Sequence, residues 1–275
     1  MWPKVECEIV VEVCPSRLDK PFITCYEKRS DEERKWAEMM SEISGVKRDK
    51  CLIVQIHFNT YSFNKARHSA AWIQYRMGIF MKYTCKSLKG QTSCDFTALV
   101  LYADETESLI QDALQQYDAL PSHIRFVPLS RRRETILQLV EGYKQLYHIR
   151  LDSDDMYVKD YIERLHAYNP KSRTQALISS KGYWYDSSGH RMKGVAFPSP
   201  PFYTLIYKEE QLADWKEYKL RGHYSVMRLR HEYMAGRNYV AVMHGKNSSS
   251  SYGMSQRTGV KIESDQIDTL LSQFM

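Results

Sequence analysis

Short apolar runs alternate with longer helical stretches between residues 51 and 166, and this alternation constrains the fold more than any other feature. Four runs have the length and apolar content of buried strands: CLIVQIHF (51–58), FTALVLYAD (96–104), HIRFVPL (123–129) and YHIRLD (147–152). The stretches between and after them predict four helices: 70–87, 107–117, 134–146 and 158–166. This pattern is typical of βαβ units, in which helices cover both faces of a parallel sheet. It predicts an α/β fold whose strand-to-helix loops share the edge where ligands bind.

The chain beyond Pro170 is less regular. Its patterns predict, in order, a strand at 174–180, a hairpin at 182–194, a strand at 201–208, helices at 209–221 and 224–235, and a late strand at 238–245. The polar tail that follows, NSSSSYGMSQRTG, is expected to be mobile. No internal repeat is present in the sequence.

Residues 1–48 stand apart from the alternating pattern. Two short apolar runs there predict a β-hairpin: 8–13 and 21–26. Ser30 and Glu33 match a capping box that opens a charged helix over 31–44. We therefore expect an N-terminal extension (1–48) followed by one domain (49–275).

Composition narrows the class of protein. With 275 residues, 43% hydrophobic and 26% charged, the chain is long enough for a large core without disulfide or metal staples. The net charge of +6 is spread along the chain, so it does not demand nucleic acid and suits an anionic small ligand or an acidic surface equally well. No signal peptide and no membrane-length apolar window is found in the sequence, so we expect a cytoplasmic protein. Its six cysteines are then expected to be reduced and buried, although Cys7, Cys14 and Cys25 could form a metal cluster.

An acidic motif follows the fourth predicted strand. Asp152-Ser153-Asp154-Asp155 places three carboxylates within four residues at the ligand-binding edge. Like charges this close repel one another, so a cation is needed to compensate them. A divalent ion with oxygen ligands, and with open positions for substrate phosphates, is one candidate. A solvated loop or an N-cap for the next helix is the other interpretation.

The acidic motif is the last of five segments that occur in a characteristic order along the chain. They are the strand CLIVQIHFNTYS, the helical pattern Trp72-x3-Arg76-x3-Phe80, the segment Ser87-Leu88-Lys89-Gly90-Gln91-Thr92, the strand FTALVLYADET and the loop RLDSDD. Together they resemble the family-2-type glycosyltransferases of the GT-A fold, with most similarity to a bacterial group described as putative rhamnosyltransferases. The resemblance covers roughly residues 50–245. It implies a Rossmann-like, mostly parallel sheet flanked by helices, with a nucleotide-sugar-binding half (49–157) and an acceptor-binding half (158–275).

The sequence departs from the family pattern at three places. The first strand ends in His57-Phe58-Asn59-Thr60-Tyr61, where the family has a Pro and a Tyr-Asn pair. Ala103-Asp104-Glu105-Thr106 replaces the usual Asp-Asp-Gly-Ser. Gly222-His223-Tyr224 stands where a Gly-Glu-Asp-Tyr type segment supplies the carboxylate base, so that assignment does not carry over.

The resemblance implies a metal-dependent, inverting transfer of a hexose, such as rhamnose, from a nucleotide-diphosphate sugar. The acceptor would be a hydroxyl of a glycan, glycoprotein or glycolipid, as in polysaccharide biosynthesis. The residues expected to hold the nucleotide are His57, Asn59, Asp104 and Asp152. Those expected to bind Mn²⁺ or Mg²⁺ are Asp154, assisted by Asp152 or Asp155, and His244, whose imidazole suits Mn²⁺ better.

Charge, base and acceptor contacts complete the predicted site. Cations near the diphosphate are expected from Arg131, Arg132 and Arg133, with Arg76 and Lys246 as further candidates. His223 is the predicted general base, because imidazole titrates near neutral pH, and Glu232 and Asp214 are the alternatives. Aromatic side chains are expected to stack on the acceptor sugar: Tyr183, Trp184, Tyr185, Phe202 and Tyr203. Peripheral contact with the inner face of the membrane is left open, and the sequence gives no sign of the oligomeric state.

Two other functions use the same scaffold. A nucleotidyltransferase combines a parallel sheet with carboxylate-bound Mg²⁺, but it usually has a Gly-rich basic loop after the first strand, which HFNTYSFN lacks. A non-catalytic nucleotide- or sugar-binding module is the other alternative, and the intact acidic motif argues against it. Nucleic-acid binding is disfavoured because the basic residues are dispersed.

Overall fold

Four parallel strands form the centre of the main sheet. They are β1 (Arg48–His57), β2 (Thr97–Tyr102), β3 (Ile124–Pro128) and β4 (Tyr143–Asp152). They lie side by side in the order β4-β1-β2-β3, so β1 is enclosed by neighbours on both sides. Apolar residues from Cys51 to Ile56 alternate between its two faces, and both faces are covered, which explains why this part of the strand is almost wholly apolar. The predicted α/β class is confirmed.

The computed structural model describes residues 47–60, 65–245 and 259–275. The predicted hairpin and helix of the extension, the polar tail, Lys246 and the cluster of Cys7, Cys14 and Cys25 lie outside the described residues. Cys51 and Cys85 are buried free thiols as expected, whereas Cys94 is exposed. Burial raises the pKa of the Cys51 thiol to about 12.

Seven helices lie in the described ranges: α1 (Ala70–Lys82), α2 (Thr84–Lys89), α3 (Glu107–Leu114), α4 (Arg132–Val140), α5 (Tyr161–Ala167), α6 (Glu209–Leu212) and α7 (Ser264–Leu271). The predicted helix 70–87 is therefore two helices, α1 and α2. Within the described ranges, no helix has the length and apolar content needed to cross a membrane.

Three further strands extend the main sheet beyond β4. They are β6 (Ala176–Ile178), β9 (Tyr203–Lys208) and β10 (His231–Tyr233), and they complete the order β10-β6-β9-β4-β1-β2-β3. β9 runs antiparallel to both β4 and β6. The strands β6 and β10 consequently run in the direction of β4, and their carboxyl ends reach the same edge of the sheet.

A second sheet of five strands packs beside the acidic motif. It comprises β5 (Met156–Tyr157), β7 (Lys181–Asp186), β8 (Arg191–Ala196), β11 (Tyr239–Met243) and β12 (Val260–Ile262), in the order β12-β8-β7-β11-β5. β7 and β8 form the predicted hairpin. β5 follows the acidic motif directly and pairs with β11, so the motif lies where the two sheets meet.

Two predicted helices of the second half are wrong. The helix predicted over 209–221 ends at Leu212, and Trp215 then turns inward, 2% exposed, with its ring 5.7 Å from that of Tyr207. The helix predicted over 224–235 is a 3₁₀ helix at His223–Arg228 followed by strand β10. Tertiary packing outweighs the weak helical propensity of both segments.

The start of β4 also differs from the prediction. The helix predicted over 134–146 is α4, which ends at Val140, and the strand begins at Tyr143 rather than at residue 147. Gly142 separates them with φ 75°, a backbone conformation that glycine adopts at little cost.

Candidate functional site

The carboxyl ends of β1 and β4 bring the predicted site residues to one edge of the main sheet. His57, the last residue of β1, lies directly opposite Asp152, the last residue of β4. Asp152 is 40% exposed, whereas Asp154 is 14% exposed and Asp155 is buried. Asp152 is therefore the carboxylate of the motif that an incoming ligand can reach most easily.

Asp154 forms a close triangle with a histidine and an arginine. Its Oδ2 lies 3.1 Å from His244 Nε2 and 3.2 Å from Arg76 Nη1, and these two nitrogens are 2.9 Å apart. The other ring nitrogen of His244, Nδ1, lies 3.0 Å from the hydroxyl of Tyr75. Burial acts to raise the pKa of Asp154, but the hydrogen bond with His244 and the charge of Arg76 together lower it.

Helix α1 delivers Arg76 to the acidic motif, which explains the pattern Trp72-x3-Arg76-x3-Phe80. Residues four apart share one face of a helix. Trp72 and Phe80 pack edge-on against Phe58, with ring centroids 6.2 and 6.3 Å apart, and they fix the orientation of that face. Arg76 then donates from Nη2 to Ser153 Oγ at 2.6 Å as well as contacting Asp154.

Protein groups also engage the other two carboxylates. Arg150 Nη2 donates to both oxygens of Asp152, at 3.0 and 3.3 Å. Asp155 Oδ1 accepts a hydrogen bond from the Val242 N–H at 2.9 Å, which joins the motif to β11. Burial, and then the charges of Asp154 and Asp152, raise the pKa of Asp155 well above its usual range.

The segment Ser87–Thr92 secures the chain that follows the acidic motif. Ser87 Oγ donates to Tyr157 O at 2.9 Å and accepts from Tyr157 N at 3.0 Å. The Gln91 amide donates to Val158 O at 3.0 Å and accepts from the Ile162 N–H at 3.1 Å. In the sequence, only the family resemblance drew attention to this segment. Its structural role depends on hydrogen-bond partners about 70 residues away, which no local pattern reveals.

Of the residues predicted to hold the nucleotide, His57 and Asp104 lie at the edge, while Asn59 is enclosed. His57 Nδ1 bonds to Thr60 Oγ1 at 2.6 Å, and burial followed by the charge of Arg132 lowers its pKa to about 4. Asp104 is exposed and accepts from the Ser130 N–H. Asn59 is fully buried and accepts from the Ala103 N–H at 2.8 Å, so it ties the loops after β1 and β2 together.

The three consecutive arginines separate into different environments. Arg131 is exposed at the end of a 3₁₀ turn after β3. Arg132 pairs with Glu217 at 2.5 Å, and Arg133 pairs with Asp214 at 2.7 Å. Arg131 and Arg133 therefore remain close to water at the ligand-binding edge, whereas Arg132 anchors the loop that carries Trp215.

The three predicted bases also differ in setting. His223 Nδ1 lies 2.6 Å from the Ser199 carbonyl oxygen, so Nδ1 carries the proton and Nε2 presents a lone pair. Glu232 accepts from Tyr168 OH at 3.0 Å, from the Lys171 N–H at 2.9 Å and from Thr174 Oγ1, all before β6.

Asp214 is exposed and pairs with Lys216 at 2.6 Å as well as with Arg133. Glu232 and Asp214 thus serve structural and surface contacts, whereas the hydrogen bond of His223 to the Ser199 carbonyl oxygen uses Nδ1.

The five aromatic residues predicted to bind an acceptor cannot all face the same ligand. Successive strand residues alternate in direction, so Tyr183 and Tyr185 pack with α7 and its core while Trp184 points to the opposite face. Phe202 is buried in the core and stacks on Tyr239 at 3.7 Å.

Trp184 instead lies beside an open groove at the ligand-binding edge. Its ring centroid is 5.2 Å from that of Phe197. The groove has a volume of about 360 Å³ and is lined by Ser180, Ala196, Phe197, Pro198 and Tyr233. Tyr203 is nearly buried, with Arg150 Cζ 5.8 Å from its ring centroid.

Another cavity, of about 240 Å³, lies at the opposite edge of the main sheet. Its lining includes Lys50, Tyr147, Lys171 and Lys208. Lys50 Nζ donates to the carbonyl oxygens of His166 and Tyr168, at 2.7 and 2.6 Å, and thereby caps the end of α5. These contacts are structural, and the cavity lies near the start of β1 and β4, whereas the acidic motif follows the end of β4.

The predicted metal ligands do not fit a divalent ion as they are arranged. Within the described ranges, no group of three His, Cys, Asp or Glu side chains could hold one. An imidazole nitrogen has a single lone pair. If His244 Nε2 is unprotonated, its lone pair accepts a hydrogen bond from Arg76. If Nε2 is protonated, it donates to Asp154 and has no lone pair for a metal ion. The Asp155 oxygen that bonds to Val242 is directed to β11.

Comparison with solved structures finds distant similarities. TarS from S. aureus (residues 1–349, in complex with UDP) is 15% identical, with a TM-score of 0.38, over 71% of this chain and 60% of that one. The galactosyltransferase LgtC, in complex with donor and acceptor sugar analogs, is 13% identical, with a TM-score of 0.36, over 66% of this chain and 72% of that one. The chain thus spans three fifths of the length of the TarS structure.

The sequence family gives the identification. No curated protein matches the chain. The profile of the family described as "Putative rhamnosyl transferase" matches residues 55–256, a range that includes the end of β1, Arg76, the acidic motif, His223 and His244. Since this range covers most of the chain, the protein belongs to that family of rhamnosyl transferases.

Proposed function

We propose that this protein transfers a sugar from a nucleoside-diphosphate donor to a hydroxyl group of a carbohydrate acceptor. The observation that carries the proposal is the register of β1 and β4, which sets His57 opposite Asp152 at the edge where the acidic motif begins. Family membership supports the reaction class. A rhamnosyl donor, a role in polysaccharide biosynthesis and a cytoplasmic setting are part of the same proposal.

The nucleotide would bind across the ends of β1, β2 and β4. His57 is neutral at pH 7, because burial lowers its pKa to about 4, and a neutral ring can contact a base or ribose without bringing in a charge. Asp104 is exposed and Asp152 is half-buried, and both carboxylates can accept hydrogen bonds from ribose hydroxyls. Arg131 and Arg133 lie on the β3 side of this edge, where cations can attract the diphosphate.

The acceptor would be deprotonated by His223. Its Nδ1 proton is directed at the Ser199 carbonyl oxygen, so Nε2 is the atom that takes the proton of the acceptor hydroxyl. Direct attack by that hydroxyl on the anomeric carbon, with departure of the nucleoside diphosphate, inverts the configuration of the sugar. A base within hydrogen-bond reach contributes roughly 10²–10⁴-fold to such a step.

The acceptor sugar would lie in the groove beside Trp184. Phe197 and Tyr233 give the groove apolar faces, and Ser180 gives it a polar group, a combination that suits the two sides of a sugar ring. Because β6 and β10 end at the same edge as β4, an acceptor in this groove lies on the side of the sheet where the donor sugar would lie.

Nucleotide release from a panel of nucleotide sugars, with and without Mn²⁺, tests the reaction. We expect turnover of at least one donor, a loss of about 10²-fold or more in kcat for His223→Ala, and little change for His231→Ala. His231 is the matched control, because its Nδ1 also lies near a backbone carbonyl, that of Leu229, at 2.9 Å. Turnover of no donor would contradict the proposed function, and full activity of His223→Ala would remove the base.

A further inference from the structure

We infer that the guanidinium of Arg76 is the resident cation of the acidic motif, and that Arg76 and a divalent metal ion exclude one another from the pair formed by Asp154 and His244. The contacts among Arg76, Asp154 and His244 do not depend on the sugar-transfer reaction. It replaces the sequence-based expectation that Arg76 contacts the diphosphate.

The two acceptor atoms stand at a spacing that suits a metal. Asp154 Oδ2 and His244 Nε2 are 3.1 Å apart. Neighbouring ligands of an octahedral ion with bonds of about 2.1 Å lie about 3.0 Å apart. A carboxylate oxygen and an imidazole nitrogen are also a suitable donor pair for Mn²⁺. The distance between the pair therefore does not prevent binding.

Arg76 makes the pair unavailable. Its Nη1 lies 2.9 Å from His244 Nε2 and 3.2 Å from Asp154 Oδ2, so both acceptors face the same nitrogen. The imidazole nitrogen has one lone pair, which can accept from Arg76 or bind a metal ion, but not both. If Nε2 instead carries a proton and donates to Asp154, the lone pair is again absent. A guanidinium carries a positive charge, so it would also repel a cation placed beside it.

The surroundings hold Arg76 in this position without saturating it. Its side chain is 12% exposed, its Nη2 donates to Ser153 Oγ at 2.6 Å, and the Trp72 ring lies 5.8 Å from its Cζ. In the described part of the chain, however, its buried Nε has no hydrogen-bond partner. An unsatisfied buried donor destabilises the arrangement that contains it. This destabilisation favours displacement of Arg76 when a stronger competitor for Asp154 and His244 is present.

Charge balance supports the same conclusion. Arg76 pairs with Asp154 and Arg150 pairs with Asp152, while the Val242 N–H bonds to Asp155. Two carboxylates thus have arginine partners before any ion binds. The electrostatic need for a cation, which the sequence alone attributes to a metal, is met by Arg76, 78 positions before Asp154, and by Arg150, two positions before Asp152.

Binding of Mn²⁺ alone, measured by electron paramagnetic resonance on the full chain, tests the inference. Changing a residue that hydrogen-bonds to a metal ligand typically changes metal affinity by about 10–100-fold. We therefore expect Arg76→Gln to bind Mn²⁺ at least tenfold more tightly than wild type. Arg150→Gln is the matched control, since it also removes one positive charge beside the motif, and it should change the affinity only slightly. The gain should vanish in Arg76→Gln combined with His244→Ala.

A measurement in the Arg76-containing protein keeps the inference testable if Arg76→Gln does not fold. His244→Ala alone should leave wild-type Mn²⁺ binding unchanged, because the His244 lone pair is not available while Arg76 is present. Equal affinity of wild type and Arg76→Gln, a gain that persists without His244, or a tenfold loss in His244→Ala would each overturn the inference. No donor or acceptor sugar is used, so these outcomes are independent of the proposed transfer activity.

Discussion

Replacing Ser87 with alanine removes one hydroxyl that makes two hydrogen bonds behind the acidic motif. Ser87 is fully buried, and its Oγ donates to the carbonyl oxygen of Tyr157 while accepting from the N–H of the same residue. Alanine leaves both backbone groups without this partner. Tyr157 lies two residues beyond Asp155, so the perturbation acts on the position of the motif as well as on stability.

The expected loss follows from the two groups left unsatisfied. Each buried donor or acceptor deprived of its partner costs about 1–3 kcal/mol, and the carbonyl group is the cheaper because it has a second lone pair. The sum for Ser87→Ala is about 2–4 kcal/mol in the free energy of unfolding. For a unit of this size, each kcal/mol lowers Tm by roughly 2–4 °C.

Chemical denaturation by urea, followed by fluorescence, measures this difference against a matched variant. Ser93→Ala also removes a hydroxyl that accepts from a backbone N–H, that of Asp95 at 3.3 Å, but at an exposed site, so it should cost less than about 0.5 kcal/mol. A loss for Ser87→Ala no larger than that for Ser93→Ala would refute the reasoning that this segment secures the motif.

Three other predictions follow from the structure. Gly182→Ala should destabilise the fold by about 1–3 kcal/mol in a denaturant titration, because a Cβ at residue 182 would lie 2.5 Å from the ring of Tyr239; an unchanged midpoint would contradict this. The pKa values of His57 and His148 are lowered to about 4 and about 3 from an ordinary value near ~6.5, chiefly by burial. Since the folded state favours the neutral rings, stability should be fully present above pH ~6.5 and fall as the pH is lowered toward 4, and His57→Gln should flatten that slope; a wild-type slope retained in full would remove His57 as its source. Glu232→Gln should leave kcat of the transfer reaction near that of wild type, because Glu232 accepts hydrogen bonds from three groups that precede β6 and so has a structural role. A loss in kcat as large as that of His223→Ala would contradict this.

Local patterns were sufficient to predict the sheet and its ligand-binding edge. The cores of β1 and β2 are apolar runs followed by polar residues, so their positions follow from the pattern, and the rules of parallel sheets place His57 and Asp152 at the same edge. That β1 and β4 are neighbours, with these two residues in register, was not predicted. The helix predicted over 209–221 failed because burial of Trp215, rather than helical periodicity, determines that segment. Propensity is a weak guide wherever one large side chain can reach the core.

The contacts between side chains of the site could not be predicted from the sequence. Arg76 and Asp154 are 78 residues apart, and Ser87 and Tyr157 are 70 apart, so neither pair shares a local pattern. The acidic motif correctly indicated a need for positive charge. Only the placement of α1 shows that an arginine supplies it, just as only the alternation along β7 shows which of three adjacent aromatic residues faces the groove.

Hydrogen–deuterium exchange with and without a saturating nucleoside-diphosphate sugar locates the donor on the chain and thereby shows whether it binds at the edge that carries the acidic motif. We expect protection at the carboxyl ends of β1, β2 and β4, over residues 58–60, 103–106 and 152–155. Protection confined to the cavity at the opposite edge, around Lys50 and Tyr147, or no protection with any donor, would contradict it.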